Sequence, residues 1–372
     1  MKIVIITPYW LQTKGGITTV AYCLFNEVKN MDHLVWVLTP DGGSEAIRLP
    51  GVRPFMMLAT IKRLWGIKPD VIHVHAHGSL LLAPVIYKVL CNRRARVVFT
   101  FHTQPPGSSF FAGKQSRKRG RLRLAALNCL LGCCDTTTFV SRNLKESLEA
   151  TGIRITNSVV IPNGVEVKRI APGEAADFKQ KYDLLQAYPV LCMVSVLQWD
   201  WKANGVEIMI KAFKSVLASQ PVAKLLIVGD GQYRKILEDY TVKEGLKRQV
   251  VFTGNMDNPF IALSVCDIYC HISLNEALPI APLEAMSAGK PVVASNDGGL
   301  PEIITSNENG ILVESKPEAV AGAILSLMKQ PEVMARLASA ARRTTRDKFA
   351  WSKVTAEYLK VYGGHPKITD TL

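Results

Sequence analysis

Short runs of apolar and β-branched residues alternate with amphipathic segments along the whole chain. In the first half the runs are KIVIITPY, HLVWVLT, VIHVHA, RVVFTFH, TTTFVS and SVVIPNG. In the second half they are VLCMVSVL, AKLLIVGDG, VVFTGNM, CDIYCHIS, KPVVASN and GILVES. Segments of helical period, such as ANGVEIMIKAFKSVLAS and KPEAVAGAILSLMK, lie between them. Strands that alternate with helices form parallel sheets covered on both faces, so the pattern predicts an α/β protein.

The alternation falls into two sets, separated by the polar, proline-bounded stretch VEVKRIAPGEAADFKQKYDLLQAYP. We therefore predict an N-terminal domain at 1–165, a linker at 166–186 and a C-terminal domain at 187–349. A last amphipathic helix, 350–363, is expected to pack back on the first domain. Two doubly wound, Rossmann-like sheets facing across a cleft would bind a ligand at the carboxyl ends of their strands.

Length and composition agree with two globular domains and exclude a membrane-spanning class. The chain has 372 residues, of which 48% are hydrophobic and 20% charged. MKIVIITPYW is typical of a first strand and lacks the features of a signal peptide, while GSLLLAPVIYKVLC is interrupted by Lys88 and too short to span a bilayer. We expect a cytoplasmic protein, peripheral on the inner face of the membrane. The eight scattered cysteines, without C-x-x-C spacing, predict buried free thiols.

The positive charge is concentrated in the first half of the chain. The net charge is +14, and residues 1–165 hold 21 Lys and Arg against 8 Asp and Glu, whereas the remainder holds 24 against 23. Because solubility does not require such an asymmetry, it indicates an anionic partner for the first domain.

Two glutamates frame an apolar run in NEALPIAPLEAMSAGKPVVASNDGGLPE. Pro282 is suited to the first turn of a short helix and Gly289 to its end, which places Glu284 in the first turn and Glu276 in the preceding loop. Backbone N–H groups around Ile280 would then form an anion site at the positive end of a helix dipole. Two carboxylates on either side of an anion site suit a nucleotide sugar, because they can accept hydrogen bonds from its hydroxyls while the site binds its diphosphate. The alternative is that Glu284 caps its own helix and Glu276 is solvated.

This segment resembles the signature of the family 4 retaining glycosyltransferases, which have the GT-B fold. Further similar motifs follow the family order: TPYWLQTKGGITTV, PDVIHVHAHG, TFHTQ, FVSRNLKESL, VIPNGVE and LLIVGDGQYRKIL. The resemblance covers nearly the whole chain. It implies sugar transfer from a nucleoside diphosphate donor to a hydroxyl of a lipid-linked or other glycan acceptor, with retention of configuration and with the leaving phosphate assisting deprotonation of the acceptor.

The resemblance also implies roles for single residues. Glu284 matches the glutamate that binds the ribose, Glu276 the one that contacts the transferred sugar, and His102 a histidine near the reacting sugar and acceptor. The remaining donor-binding positions are Gly15 and Gly16 beside the diphosphate, Lys202 as its cation, and the backbone of Leu278, Pro279, Ile280 and Ala281.

One position departs from the family. Val196 stands where the family has an arginine, so either Lys202 acts with another cation, such as Arg234, or turnover is weak. A non-catalytic nucleotide-sugar-binding or membrane scaffold protein is the alternative function.

No cofactor and no metal is expected. His73, His75 and His77 alternate and could form a metal pair, but the chain has no Asp-x-Asp for a metal-held diphosphate. Lys202 and the helix N-terminus would stabilise the diphosphate instead.

A basic cluster precedes the apolar stretch LRLAALNCLLG. Its members are Lys114, Arg117, Lys118, Arg119, Arg121 and Arg123. It is open to three interpretations: a solvated loop, a surface for anionic lipid headgroups, or a nucleic-acid site. Because stacking aromatic residues are not interleaved with the cations, we favour the lipid surface and expect no nucleic-acid partner.

Overall fold

The computed structural model describes residues 1–10, 15–75, 80–103 and 117–364, and for residues 117–119 the backbone alone. The chain divides into two compact units, which are Met1–Gly164 with the chain from Trp351 onward, and Val165–Ala350. The segment 166–186, which the sequence predicted as a linker, lies in the second unit and contains a helix whose Phe178 is buried.

In its described part, the first unit is built on a seven-stranded parallel sheet. The spatial order is β3-β2-β1-β4-β5-β6-β7. The strands are β1 Lys2–Ile6, β2 Leu34–Thr39, β3 Ala46–Arg48, β4 Val71–His75, β5 Arg96–Phe101, β6 Thr136–Phe139 and β7 Ser158–Val160. The order runs outward in both directions from β1 and β4, which is the doubly wound arrangement.

The second unit repeats this plan in a six-stranded parallel sheet. Its order is β10-β9-β8-β11-β12-β13. The strands are β8 Val190–Val194, β9 Lys224–Val228, β10 Val250–Gly254, β11 Ile268–His271, β12 Val292–Ser295 and β13 Ile311–Val313. The predicted fold class, two doubly wound parallel sheets, is therefore confirmed.

Helices cover both sheets. In the first unit they are α1 Gly16–Asn30, α2 Arg53–Ile67, α3 Leu82–Leu90, α4 Arg117–Gly132 and α5 Arg142–Glu149. In the second unit they are α6 Glu174–Lys181, α7 Asp200–Ser219, α8 Arg234–Lys243, α9 Phe260–Val265, α10 Ile280–Ser287, α11 Pro317–Met328 and α12 Pro331–Thr344. The last helix, α13 Trp351–Gly363, returns to the first unit.

Both cores follow from the hydrophobic pattern. Ile3 to Ile6 of β1 are fully buried, as expected for a strand covered on two faces. On α7, Val206, Met209, Ile210 and Phe213 repeat at helical spacing and are buried in the core of the second unit. The start of α13 is fixed by a close contact, because a Cβ on Gly164 would lie 2.5 Å from the Trp351 ring.

The cysteines are free, but not all are buried. Cys192, Cys266 and Cys270 are buried in the second unit, whereas Cys129 on α4 is exposed. The prediction of buried thiols is therefore wrong for Cys129, and Cys23, Cys91, Cys133 and Cys134 are only partly buried.

Candidate donor site in the second unit

The two glutamates lie on the loop and helix that follow β11, but the helix begins earlier than predicted. It starts at Ile280, after Pro279 in an extended conformation, so Glu284 is its fifth residue and lies in the second turn. Pro282 is the third helical residue, where a missing N–H still breaks no helical hydrogen bond. Of the first three helical residues only Ile280 and Ala281 carry an N–H. The helix ends before Gly289, which has a φ of +69°.

Two glycines bring a second segment against the glutamate loop. Gly298 has a φ of +59°, and a Cβ there would lie 2.2 Å from the carbonyl oxygen of Glu276. A Cβ on Gly299 would lie 1.8 Å from the carbonyl oxygen of Ala277. The backbone N–H of Gly299 donates to the Glu276 carbonyl at 2.8 Å. The pair GG in DGGLPE therefore holds the Glu276 loop in place, because no other residue type permits this approach.

Glu276 is held as a carboxylate. Lys202 Nζ and His271 Nε2 both lie 3.1 Å from its Oε1. Burial alone would raise the pKa of the Glu276 carboxyl, but the charges of Lys202 and His271 and the His271 hydrogen bond outweigh burial and hold the pKa well below its usual range. Glu276 is therefore an ionised acceptor with a fixed orientation.

The sequence reasoning missed His271 and Tyr269, which support this carboxylate. Both lie on β11 and are buried, and the Tyr269 hydroxyl is 3.1 Å from His271 Nδ1. The Tyr269 hydroxyl and the Glu276 carboxylate thus contact the two ring nitrogens of His271 and fix the orientation of the ring. The sequence did contain a signal for this contact, because His271 is a histidine in an otherwise apolar strand and lies five residues before Glu276.

Glu284 has the opposite electrostatic environment. Burial raises the pKa of its carboxyl to about 7, and among the described residues the charge of Lys168 opposes this shift. Among the described residues, none hydrogen-bonds its side-chain oxygens. Two carboxyls eight positions apart thus have pKa values shifted in opposite directions, which is typical of a functional site.

The cations around this site differ in availability. Lys202 lies near the start of α7, and its ion pair with Glu276 is largely buried. Arg234, considered above as a substitute for the missing arginine, donates to Asp230 at 2.9 Å and to Glu238 at 2.7 Å, so two carboxylates already compensate its charge. Val196 is 40% exposed and supplies no charge.

The predicted residues of the first unit lie at the carboxyl ends of its strands. Gly15 is the N-cap of α1, and Gly16 is its first residue. A Cβ on Gly15 would meet no described atom within 4 Å. His102 follows β5, is buried, and lies 2.9 Å from His75 through its Nε2. The roles that the family resemblance implies for these residues stay predictions.

His73 and His75 are engaged in hydrogen bonds with each other, and His77 lies outside the described residues. Within the described ranges, no group of three or more His, Cys, Asp or Glu side chains could hold a metal ion.

Only part of the basic cluster can be described. Lys114 lies outside the described residues, and the side chains of Arg117, Lys118 and Arg119 are not described. Arg121 and Arg123 are exposed on α4, which begins at Arg117. The expectation that the cluster precedes its apolar segment as a separate loop is wrong for Arg117, Lys118, Arg119, Arg121 and Arg123, because the helix runs through all five. No helix in the described ranges is long and apolar enough to cross a membrane.

Comparison with known proteins points to one class of enzyme. Residues 175–344 match the family model described as glycosyl transferases group 1, and residues 14–169 match that of glycosyltransferase family 4. The N-acetyl-alpha-D-glucosaminyl L-malate synthase of Bacillus anthracis is 24% identical over 79% of this chain and 74% of its own length. The phosphatidyl-myo-inositol mannosyltransferase of Mycolicibacterium smegmatis is 25% identical over 97% of this chain and 93% of its own length.

The fold is shared with a solved structure of a protein in complex with a nucleotide sugar. HepE of Anabaena, in complex with UDP-glucose, aligns with 98% of this chain and 99% of its own, with a TM-score of 0.80. The sequence identity is 19%, so this likeness concerns the fold.

Proposed function

Since the chain belongs to the family 4 glycosyltransferases of the GT-B fold, we propose that it transfers a sugar from a nucleoside diphosphate to a hydroxyl of a lipid-linked or other glycan acceptor, with retention. The observation that carries this proposal is the pair of carboxyls with opposite pKa shifts, Glu276 and Glu284, on one loop and helix of the second unit. The N-terminus of that helix adds a local anion site between them.

In the proposed reaction each residue has a physical role. Glu284 accepts hydrogen bonds from the ribose hydroxyls, which favour its ionised form against the cost of burial. Glu276, oriented by His271, accepts a hydrogen bond from the transferred sugar. Lys202 neutralises charge on the departing diphosphate, and its ion pair with Glu276 couples sugar binding to charge stabilisation. The leaving phosphate, rather than a protein nucleophile, assists deprotonation of the acceptor, so the protein supplies position and preorganised charge.

Release of the nucleoside diphosphate from a panel of UDP- and GDP-sugars tests the proposal. Activity with one donor would support the proposal if it is lost in Glu284→Ala and retained in the control Glu302→Ala. Glu302 lies in the short helix Leu300–Glu302 that follows Gly299. Binding of a donor without turnover, with or without added acceptor lipids, would instead favour the non-catalytic alternative that Val196 suggests.

We further propose that the acceptor is a lipid and that the enzyme works as a peripheral protein on the cytoplasmic face of the membrane. The name of the mycobacterial relative, a phosphatidyl-myo-inositol mannosyltransferase, supports this class of acceptor. The surface of the first unit offers a second support. Phe55, Leu58 and Trp65 on α2 are 63%, 62% and 60% exposed and repeat at helical spacing.

The charge around this apolar stripe suits an anionic bilayer. Between Glu45 and Asp70 the chain has five Lys and Arg and no Asp or Glu. A basic helix with a tryptophan and other apolar side chains on its outer face is typical of interfacial binding. Under α2, at the carboxyl end of β1, a cavity of about 320 Å³ is lined mainly by apolar side chains, and among the described residues that line it Arg53 alone is charged. Such a cavity suits part of a lipid chain near a phosphate.

Vesicle co-sedimentation separates the two candidate surfaces. In a first variant, Phe55, Leu58 and Trp65 are changed together to serine. In a second variant, the four arginines from Arg117 to Arg123 are changed to serine. Binding should require phosphatidylglycerol, weaken as salt rises, and fall strongly in the first variant. A matched control changes the exposed Val222, Ile236 and Val242 of the second unit to serine. Equal binding to neutral vesicles, or none to anionic ones, would contradict the membrane proposal.

A further inference from the structure

Two tryptophans are stacked at the start of α7 in the second unit. Trp199 is the N-cap of this helix and Trp201 is its second residue. The centroids of their rings are 5.3 Å apart, and the ring planes differ by only 9°. Trp201 covers one face of Trp199, yet Trp199 remains 46% exposed. Because tryptophan carries a large apolar area, an exposed and ordered pair of this kind indicates a binding surface.

The loop that carries Trp199 is fixed by the turn that follows β9. The Leu197 N–H donates to the Asp230 carbonyl oxygen at 2.9 Å, and the Tyr233 N–H donates to the Leu197 carbonyl oxygen at 3.0 Å. A Cβ on Gly231 would lie 2.2 Å from the carbonyl carbon of Leu197, so the two backbones are in close contact. The exposed ring therefore projects from a rigid backbone, and little conformational entropy would be lost when it binds a ligand.

The aromatic pair lies beside the residues of the donor site. Lys202 directly follows Trp201, and its Nζ lies 3.1 Å from Glu276 Oε1. Since a helix rises by about 1.5 Å per residue, the backbone of Lys202 lies within one turn of both tryptophans. A ligand that contacts Lys202 and Glu276 therefore comes close to the aromatic pair.

The side chains around the pair suit a sugar ring. One face of a pyranose presents C–H groups that neighbouring oxygens make electropositive, and these match the negative face of an indole ring. The hydroxyls at the edge of the sugar require amides or carboxylates. Gln198, Asp200 and Asn204 are exposed on the same loop and the first turn of α7. The stretch from Ser195 to Trp201 has no Lys or Arg, so stacking, and not an ion pair, is the contact that it offers.

We propose that Trp199, held in place by Trp201, stacks on a pyranose ring and determines which sugar this site accepts. The ring belongs to the transferred sugar of the donor or to the acceptor glycan, and this part of the inference rests on the proposed function. The capacity of the pair to bind a sugar concerns the second unit alone.

Fluorine NMR of the full chain, labelled with fluorotryptophan, tests the contact directly. The signal of Trp199 is the one that is lost in Trp199→Leu. The probes are UDP and GDP, their sugars UDP-glucose, UDP-N-acetylglucosamine and GDP-mannose, and methyl α-glucoside and methyl α-mannoside added with each nucleotide. A donor ring should shift the signal with a nucleotide sugar beyond the shift with its nucleotide alone. An acceptor ring should shift it with a methyl glycoside.

Three variants measure how much the stacking contributes. Trp199→Leu should weaken binding of the effective sugar about tenfold, whereas Trp199→Phe, which keeps an aromatic face, should weaken it only about twofold. Tyr188→Leu is the matched control, because Tyr188 is 49% exposed and precedes the opposite end of β8, and it should leave the affinity unchanged. In a transferase assay, Trp199→Leu should raise KM for that substrate about tenfold at unchanged kcat, as expected for a contact made equally in the ground and transition states.

Opposite outcomes are readily recognised. A Trp199 signal that no sugar shifts beyond the effect of the nucleotide would overturn the inference, and so would equal affinities of Trp199→Leu and the wild type. If Trp199→Leu loses sugar binding while no donor is turned over, the stacking surface stands and the proposed function fails. If donors are turned over with the same KM values in Trp199→Leu, the proposed function stands and this inference fails.

Discussion

Replacing Glu284 with glutamine should stabilise the protein at alkaline pH while weakening donor binding. The pKa of this carboxyl is raised from 4.5 to about 7, with burial as the main cause. The folded state therefore binds the proton more tightly than the unfolded state. This contribution to stability is present below the unfolded pKa of 4.5 and is lost as pH rises through the folded pKa of about 7.

The size of the effect follows from the shift. One pKa unit corresponds to about 1.4 kcal/mol, so the whole shift is equivalent to about 3.4 kcal/mol. Between about pH 5 and about pH 8 most of this effect is expressed, and the wild type should lose about 2.5 kcal/mol of stability relative to Glu284→Gln. Glutamine cannot ionise and avoids this loss. The same variant presents a neutral side chain to the ribose and should bind donor more weakly, by about 1–3 kcal/mol, as for a hydrogen bond to a charged group.

Urea unfolding at both pH values, with calorimetry of donor binding at the higher one, measures the two effects. Glu276→Gln is the matched control, because the depressed pKa of Glu276 means that its charged form is the one the fold stabilises. That variant should be less stable than the wild type at both pH values. A difference between Glu284→Gln and the wild type that does not change with pH would refute the reasoning.

Three further changes probe the same site. Lys202→Ala should lower kcat on the order of 10²-fold, as for loss of one preorganised donor, whereas Lys211→Ala on an exposed turn of α7 should not; equal rates would place the phosphate cation elsewhere. His271→Leu should destabilise the protein by about 1–3 kcal/mol in urea unfolding, because it removes one hydrogen-bond partner from each of two buried groups, Glu276 and Tyr269; an unchanged midpoint would mean that these hydrogen bonds do not contribute to stability. Gly299→Ala should disrupt the glutamate loop and donor binding, whereas Gly322→Ala, where a Cβ meets nothing within 4 Å, should be tolerated; similar donor affinities in the two variants would argue against the close backbone approach.

The fold could be predicted because its signal is periodic. Buried parallel strands are apolar on both faces, and the helices between them repeat at another period, so alternation along the chain specifies both sheets. The start of α10 was harder to predict. Pro279 and Pro282 both suit the beginning of a helix, and the choice between them depends on the backbone of the loop from Glu276.

Pairings between distant segments were beyond the sequence. Lys202 and Glu276 are 74 positions apart and meet because β8, which leads into α7, and β11, which leads into the Glu276 loop, are adjacent parallel strands. By contrast, the sequence alone could have indicated that Arg234 is paired with carboxylates and is therefore not available to bind a phosphate. Glu238 lies four positions after it on α8, a spacing at which helical neighbours form ion pairs, and Asp230 lies four positions before it, ahead of the helix.

The return of α13 to the first unit has a consequence for synthesis on the ribosome. The second unit is one continuous stretch, 165–350, and can complete its core as soon as that stretch has emerged. The first unit, although most of it is translated earlier, must wait for Tyr358 and Tyr362 to cover its buried histidines. The half made first should therefore finish folding last, and the uncovered face of its sheet is the surface that chaperones would meet on the nascent chain.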